Sequence, residues 1–160
     1  MVKVLVVYYS RGGNTRKLAE MLTMALKEED LEVCMKTVLD TKVEELLEYE
    51  GIVIGSPTYY GQMAGEVKKF LDETVRLHGK LDGKAGLAFT TAGGYGTGGE
   101  TTILSIIQAM LIHGMIVQGD PEDLHYGIIT RGMPKDEDFD TVKSKAKRFA
   151  MLIKKLKIEA

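Results

Sequence analysis

The sequence predicts an α/β protein: a doubly wound, five-stranded parallel sheet in strand order 2-1-3-4-5, with helices on both faces. Three observations carry that expectation. Apolar runs alternate with helical patterns along all 160 residues, as in a parallel sheet wrapped by helices. Two of those runs, at Val4 to Val7 and Ile52 to Gly55, are continuous, so their strands are buried on both faces. A third, Leu31 to Lys36, alternates apolar with polar residues and reads as a half-buried edge. An edge at strand two with strands one, three and four interior fits the 2-1-3-4-5 order, whose ligand crevice lies beyond the C-terminal ends of strands one and three.

Val2 to Tyr8 is the first strand, followed by a helix from about Thr15 to Glu29 with Leu18, Met21, Leu22, Ala25 and Leu26 on one face. After the edge strand, a short helix around Val43 to Leu47 leads into the third strand at Ile52 to Gly55. Met63 to Leu77 reads as helical, Ala85 to Thr90 as the fourth strand, and Glu100 to His113 as a helix stopped by Gly114. Met115 to Val117 is the fifth strand. A long connection, Gly119 to Asp138, has the length of a lid. The last helix carries Phe139, Val142, Ala146, Phe149, Ile153 and Leu156 at three-four spacing beneath a lysine-rich outer face. With no composition break, residues 1–160 are expected to form a single domain.

Composition narrows the function. Apolar residues make up 44% and charged residues 28%, ordinary for a globular protein. A formal charge of −2 suggests neither nucleic acid nor an anionic membrane surface. The one cysteine, Cys34, cannot form an internal disulfide and reads as an inert mid-strand residue. No leader pattern opens the chain and no apolar stretch reaches membrane-spanning length, so the expected location is cytoplasmic.

The most informative segment is Ser10-Arg11-Gly12-Gly13-Asn14-Thr15, between the first strand and first helix. Two glycines allow a tight turn that brings backbone N–H groups to an anion. Ser10, Asn14 and Thr15 add side-chain donors, Arg11 adds charge, and the helix start adds unpaired N–H groups and the positive dipole end. No Gly-Lys-Ser/Thr ending follows, so this is not a triphosphate P-loop. A monophosphate fits it better.

Two further loops share the crevice. One is Gly55-Ser56-Pro57-Thr58-Tyr59-Tyr60-Gly61-Gln62-Met63, followed by Lys68-Lys69-Phe70-Leu71-Asp72. The other is Thr90-Thr91-Ala92-Gly93-Gly94-Tyr95-Gly96-Thr97-Gly98-Gly99-Glu100, with His113-Gly114-Met115 after its helix. Together with the Ser10 loop, they resemble the flavodoxin-like FMN proteins over essentially the whole chain. The last two resemble the WrbA-type NAD(P)H:quinone oxidoreductases more than electron-carrier flavodoxins. The resemblance implies noncovalent FMN, with NAD(P)H as electron donor and a quinone or similar acceptor. Its phosphate would lie on Ser10 to Thr15, and its ring on Pro57, Thr58, Tyr59, Tyr60, Gly61, Thr91, Ala92, Gly93 and Gly94, with Tyr95 as a lid. Pro57 is expected to fix a turn, and Thr58, Tyr59 and Gly61 to offer backbone amides to the flavin edge. The resemblance also implies a homo-oligomer, a dimer or a tetramer.

A flavin accepts hydride itself, so no acid–base pair is required and no catalytic side chain is assigned. The alternative is a flavodoxin acting as a one-electron carrier. Near neutrality and the absence of tryptophan favour the reductase, because the carriers resemble one another in being strongly acidic. Apolar residues on several faces of the Glu100–His113 helix, including Leu104, Leu111 and Ile112, fit either deep packing or a subunit interface. Gly94, Gly96 and Gly99 match a G-x-G-x-x-G dinucleotide fingerprint with Asp120 downstream. Against it stand the end of the apolar part of the strand near Phe89, several residues before Gly94, and the better phosphate cradle at the N-terminus. His113 is expected to cap a helix end as a cation, His78 to be solvated, and His125 to sit in the long loop. No metal-ligand spacing is present, and the nine methionines need only core packing.

Overall fold

The computed structural model describes residues 1–159, so the final position of the expected 1–160 domain, Ala160, lies outside the described residues. Strands β1 (Lys3–Tyr8), β2 (Glu32–Thr37), β3 (Gly51–Tyr59), β4 (Gln62–Met63), β5 (Ala85–Ala92), β6 (Ile116–Val117) and β7 (Ile128–Arg131) form one sheet. Helices α1 (Asn14–Lys27), α2 (Gly65–Glu73), α3 (Gly99–Ile112) and α4 (Phe139–Glu159) flank it, and 3-10 turns occupy Val43–Glu48, Thr74–Leu77 and Asp136–Asp138. The main path is β2-β1-β3-β5-β6, all parallel, which is the doubly wound order expected, with β2 at an edge.

Alternation along the buried strands fills both faces. Val4, Val6 and Val53 pack with Leu18 and Leu22 of α1 and Val142, Phe149 and Ile153 of α4. Leu5, Val7, Ile52 and Ile54 pack on the other face with Val67 and Phe70 of α2 and Ile103, Ile106 and Met110 of α3. Each such side chain contributes about 1.5–3 kcal/mol on burial, which is why these strands lack a polar side.

Several boundaries differ from expectation. β3 runs on to Tyr59, so Pro57 is a strand residue paired with Thr91 and not a turn residue. Tyr9 N–H donates to Gly55 O, so alternate residues of β3, Pro57 among them, face β1. That strand ends at Tyr8, so no ladder partner there needs the N–H that proline lacks. Met63 belongs to β4 rather than to a helix; Thr58 and Tyr59 pair antiparallel with Met63 and Gln62. The helix begins at Gly65, and its last turn, Thr74–Leu77, tightens to 3-10 geometry.

β5 extends to Ala92, beyond the predicted Thr90. The fifth strand is split into β6, beside Ala85 and Gly86, and β7, beside Phe89 to Ala92. The connection Gly119 to Asp138 therefore contains a strand. Its signal was Ile128-Ile129-Thr130, three β-branched residues bracketed by Gly127 and Gly132. The remainder, residues 118–127, is pinned to α4. Lys145, 6% exposed, reaches Asp120 Oδ2 at 2.7 Å and the carbonyl of Asp123, while Arg148 donates to Gly119 O.

Candidate functional site

Beyond the paired ends of β1 and β3, where Tyr8 lies opposite Gly55, the Ser10 loop and the end of β3 stand side by side. The Ser10 loop turns on Gly13, whose φ of 98° is open to glycine at no steric cost. Ser10 Oγ accepts from Gly13 N–H at 3.1 Å. No side chain caps the start of α1 and its first turn holds no carboxylate, so the helix end keeps its positive potential for an anion. A Cβ built on Gly12 or Gly13 would meet nothing within 4 Å, so space is open beside the turn. Arg11 is exposed at its tip and Asn14 is half-buried.

Thr15 is buried, with its Oγ1 2.8 Å from Thr91 Oγ1 at the end of β5. That contact joins the first loop to the third. Thr58 Oγ1 lies 2.8 Å from Thr90 Oγ1 and joins the second loop to the third. Tyr60 (φ 49°) and Gly61 (φ 76°) form the two-residue turn between β3 and β4, with Tyr60 fully exposed. Thr101 Oγ1 donates to Gly61 O at 2.6 Å. Gly98 (φ 104°) comes so close that a Cβ there would sit 2.5 Å from Gly61 Cα. The third loop is thus fastened to the β3–β4 turn.

Tyr59 is partly exposed at the crevice. Tyr95 is 81% exposed and one face of its ring carries the Arg131 guanidinium, 3.4 Å from the centroid. As a lid it has only its other face. Thr91 and Ala92 are buried strand residues; Gly93 is exposed with open space at its Cα, and Gly94 N–H donates to Thr97 Oγ1. Sequence reasoning passed over Thr90, Thr101 and Glu66, of which the last lies in the first turn of α2. Desolvation first, and then the Glu66 carboxylate, holds the Tyr9 hydroxyl above its ordinary range.

His113 is a C-cap, as expected, but it is not a cation. Its ring is buried, and burial, with His78 second, holds the imidazole below its ordinary value. Thr74 Oγ1 donates to Leu71 O and therefore accepts from His113 Nε2–H at 2.7 Å. Nδ1 is buried without a partner, where a proton could find no acceptor. His78 is exposed, and His125 lies on the pinned 118–127 segment with Nδ1 2.7 Å from Asp120 O.

For the fingerprint Gly94-x-Gly96-x-x-Gly99, the strand-end objection fails, because β5 runs to within two residues of Gly94. Asp120 supplies a different one. Its carboxylate is already taken up by Lys145 and by Glu122 N–H. A cavity of about 300 Å³ does lie behind that loop, lined by Gly94, Tyr95, Gly99, Arg131 and Asp138 among others. Among the described residues, no group of His, Cys, Asp or Glu is placed to hold a metal ion, and no helix is long and apolar enough to cross a membrane.

A doubly wound sheet with three loops gathered over its switch point defines a nucleotide-binding α/β protein. Residues 5–98 match the Flavodoxin domain family, and the chain belongs to that family. It is 36% identical over 146 residues to a flavodoxin of Aquifex aeolicus, covering 86% of this chain and 79% of that protein. It is 33% identical, over an aligned span of 190 residues, to an NAD(P)H dehydrogenase (quinone) of Archaeoglobus fulgidus, covering 98% of this chain and 100% of that protein. A solved flavodoxin from the domain Archaea superposes with a TM-score of 0.80 at 32% identity over 96% of this chain and 99% of that one. A WrbA-like protein from Agrobacterium tumefaciens superposes at 0.82, over 97% of this chain and 99% of that one, and at 19% identity speaks for the fold alone. FMN is the cofactor that the family implies, and an uncapped, carboxylate-free helix start beside open glycines fits its phosphate.

Proposed function

We propose that the protein is an FMN-dependent oxidoreductase that passes two electrons from NAD(P)H to a quinone or similar acceptor. The observation that carries this reading is the joining of all three loops over one crevice by the Thr15–Thr91 and Thr58–Thr90 contacts. Ser10, Arg11, Gly12, Gly13, Asn14 and Thr15 take the phosphate. Pro57 to Gly61 and Thr91 to Gly94 take the ring, with Tyr95 over its rim. The flavin supplies the redox chemistry; these residues bind it, orient it and limit water. A relative spanning its full length against this chain and named NAD(P)H dehydrogenase (quinone) supports the enzyme.

The same reading places one domain in the cytoplasm as a homo-oligomer. On α3, Leu111 and Ile112 are 57% and 71% exposed, and Ile112 lines one groove with Val75 of the 3-10 turn after α2, so deep packing does not account for the surplus apolar surface. A subunit contact there would cover it.

A second reading, a flavodoxin carrying single electrons between redox proteins, is favoured by the Aquifex flavodoxin and the archaeal flavodoxin structure. Mixing the FMN-loaded protein anaerobically with NADH and with NADPH separates the two. Rapid bleaching of the flavin, followed by reoxidation with benzoquinone, is expected of the enzyme. Indifference to both nucleotides, with a one-electron-reduced flavin building up under chemical reduction, would establish the carrier instead.

A further inference from the structure

Two threonines at the ends of β3 and β5 form a chain in which geometry determines where each proton lies. Thr90 is fully buried, and its Oγ1 is 2.6 Å from the carbonyl oxygen of Ser56. A carbonyl only accepts, so at that distance the single proton of Thr90 must point to it; the reverse would press two lone pairs together. Thr90 Oγ1 can then only accept from Thr58 Oγ1, 2.8 Å away. Thr58 thereby spends its one proton inward. What it has left, at a half-buried position on the second loop, is lone-pair density. The rest of the frame is equally committed: Ser56 Oγ donates to Pro57 O and accepts from Ala64 N–H, both at 2.8 Å.

An oxygen of that kind gains a bond only from a ligand N–H and repels a ligand lone pair. On the flavin ring, N5 carries a lone pair when oxidised and a hydrogen when reduced. We propose that Thr90 is a positioning residue that makes the Thr58 hydroxyl an acceptor-only group toward the flavin, so that the site favours the reduced ring over the oxidised one. The inference rests on the reading above that FMN lies over the end of β3. It adds a residue outside the phosphate-binding and ring-binding segments and gives it a role in setting the potential.

Thr90→Val keeps the shape and removes the acceptor, so the Thr58 proton is free to turn outward and donate to the oxidised ring. Apoprotein is titrated with oxidised FMN and, anaerobically, with reduced FMN, and the two-electron midpoint potential is measured. For Thr90→Val the ratio of reduced to oxidised affinity is expected to fall about tenfold, a potential about 30 mV more negative. Thr90→Ser, which restores the hydroxyl, is expected to behave as the parent. Thr58→Val, which removes the acceptor from a half-buried position, is expected to move the ratio in the same direction and covers the case in which Thr90→Val does not fold. A ratio within threefold of the parent in both valine variants overturns the proposal. So does an equal loss of affinity in both redox states, which would mean general damage to the site. Failure of the parent to take up FMN would show in the first titration and overturn the placement of the cofactor as well.

Discussion

Thr15, at the start of α1, and Thr91, at the end of β5, share a buried hydrogen bond of 2.8 Å across the mouth of the sheet. The two residues stand 76 positions apart in the chain, so the contact depends on the register of three strands. It also has a direction when the site is filled. A phosphate accepts only, so a Thr15 that serves it must give its own proton away and take one from Thr91.

Thr91→Val is therefore expected to weaken FMN about fivefold, on the order of 1 kcal/mol, the value of one neutral hydrogen bond. Thr15→Val combined with Asn14→Ala should lose the cofactor while the fold persists. Fluorescence titration of apoprotein, with circular dichroism as the control, reads both. Parent-like affinity in the double variant would refute the assignment of the cradle.

Gly98→Ala should be the costliest glycine change in the third loop. Its φ is 104° and the new Cβ would fall 2.5 Å from Gly61 Cα, on backbone that Thr101 already holds. A loss of at least about 2 kcal/mol in urea unfolding is expected. Gly96→Ala shares the positive φ, at 66°, but meets nothing within 4 Å, and should cost about 1 kcal/mol. Equal losses would show that the loop is not fastened to the β3–β4 turn.

His113 predicts an acid limb in stability. Its folded pKa is lowered by burial and by His78, so the unfolded chain binds the proton more readily. The stabilisation is fully present above the ordinary histidine value, about 6.5, and is lost as pH falls below it toward the depressed folded value. Urea midpoints measured between pH 8 and 5 should decline in the parent and stay flatter in His113→Gln. An unchanged slope in that variant would place the titrating group elsewhere.

Lys145→Met should loosen residues 118–127. It strips the cation from Asp120 and a donor from the carbonyls of Asp123 and Leu124, leaving the nearly buried carboxylate with the Glu122 N–H as its remaining hydrogen bond. The loss in unfolding midpoint should exceed that of Lys143→Met, whose ion pair with Glu28 is about half exposed on both sides. Hydrogen exchange should rise first at His125 and Tyr126.

Ile112→Glu should reduce the mass seen by light scattering to that of one chain if α3 lies in a subunit contact. The side chain is 71% exposed, so folding itself should be indifferent to the change.

Much of this was legible in the chain. Val4 to Val7, Ile52 to Ile54 and the stripe of α4 declare themselves because burial imposes a local period on apolar residues. The Ser10 loop is legible too, since its glycines, hydroxyls and following helix are contiguous. Composition and spacing thus determined the parallel sheet and its strand order, and marked the loop proposed to take the phosphate.

Only the tertiary structure decided where β3 and β5 end and how the three loops meet. Thr58 and Thr91 are polar and read as loop, yet they are strand residues whose hydroxyls find partners far off in the chain, on Thr90 and Thr15. Pro57 is tolerated in a strand only because β1 stops short of it, and the His113 ring is held below its ordinary value because the fold buries it against Thr74. A hydrogen bond or a desolvated ring depends on what the fold brings close. Pattern along one strand records which side is buried, and not against what.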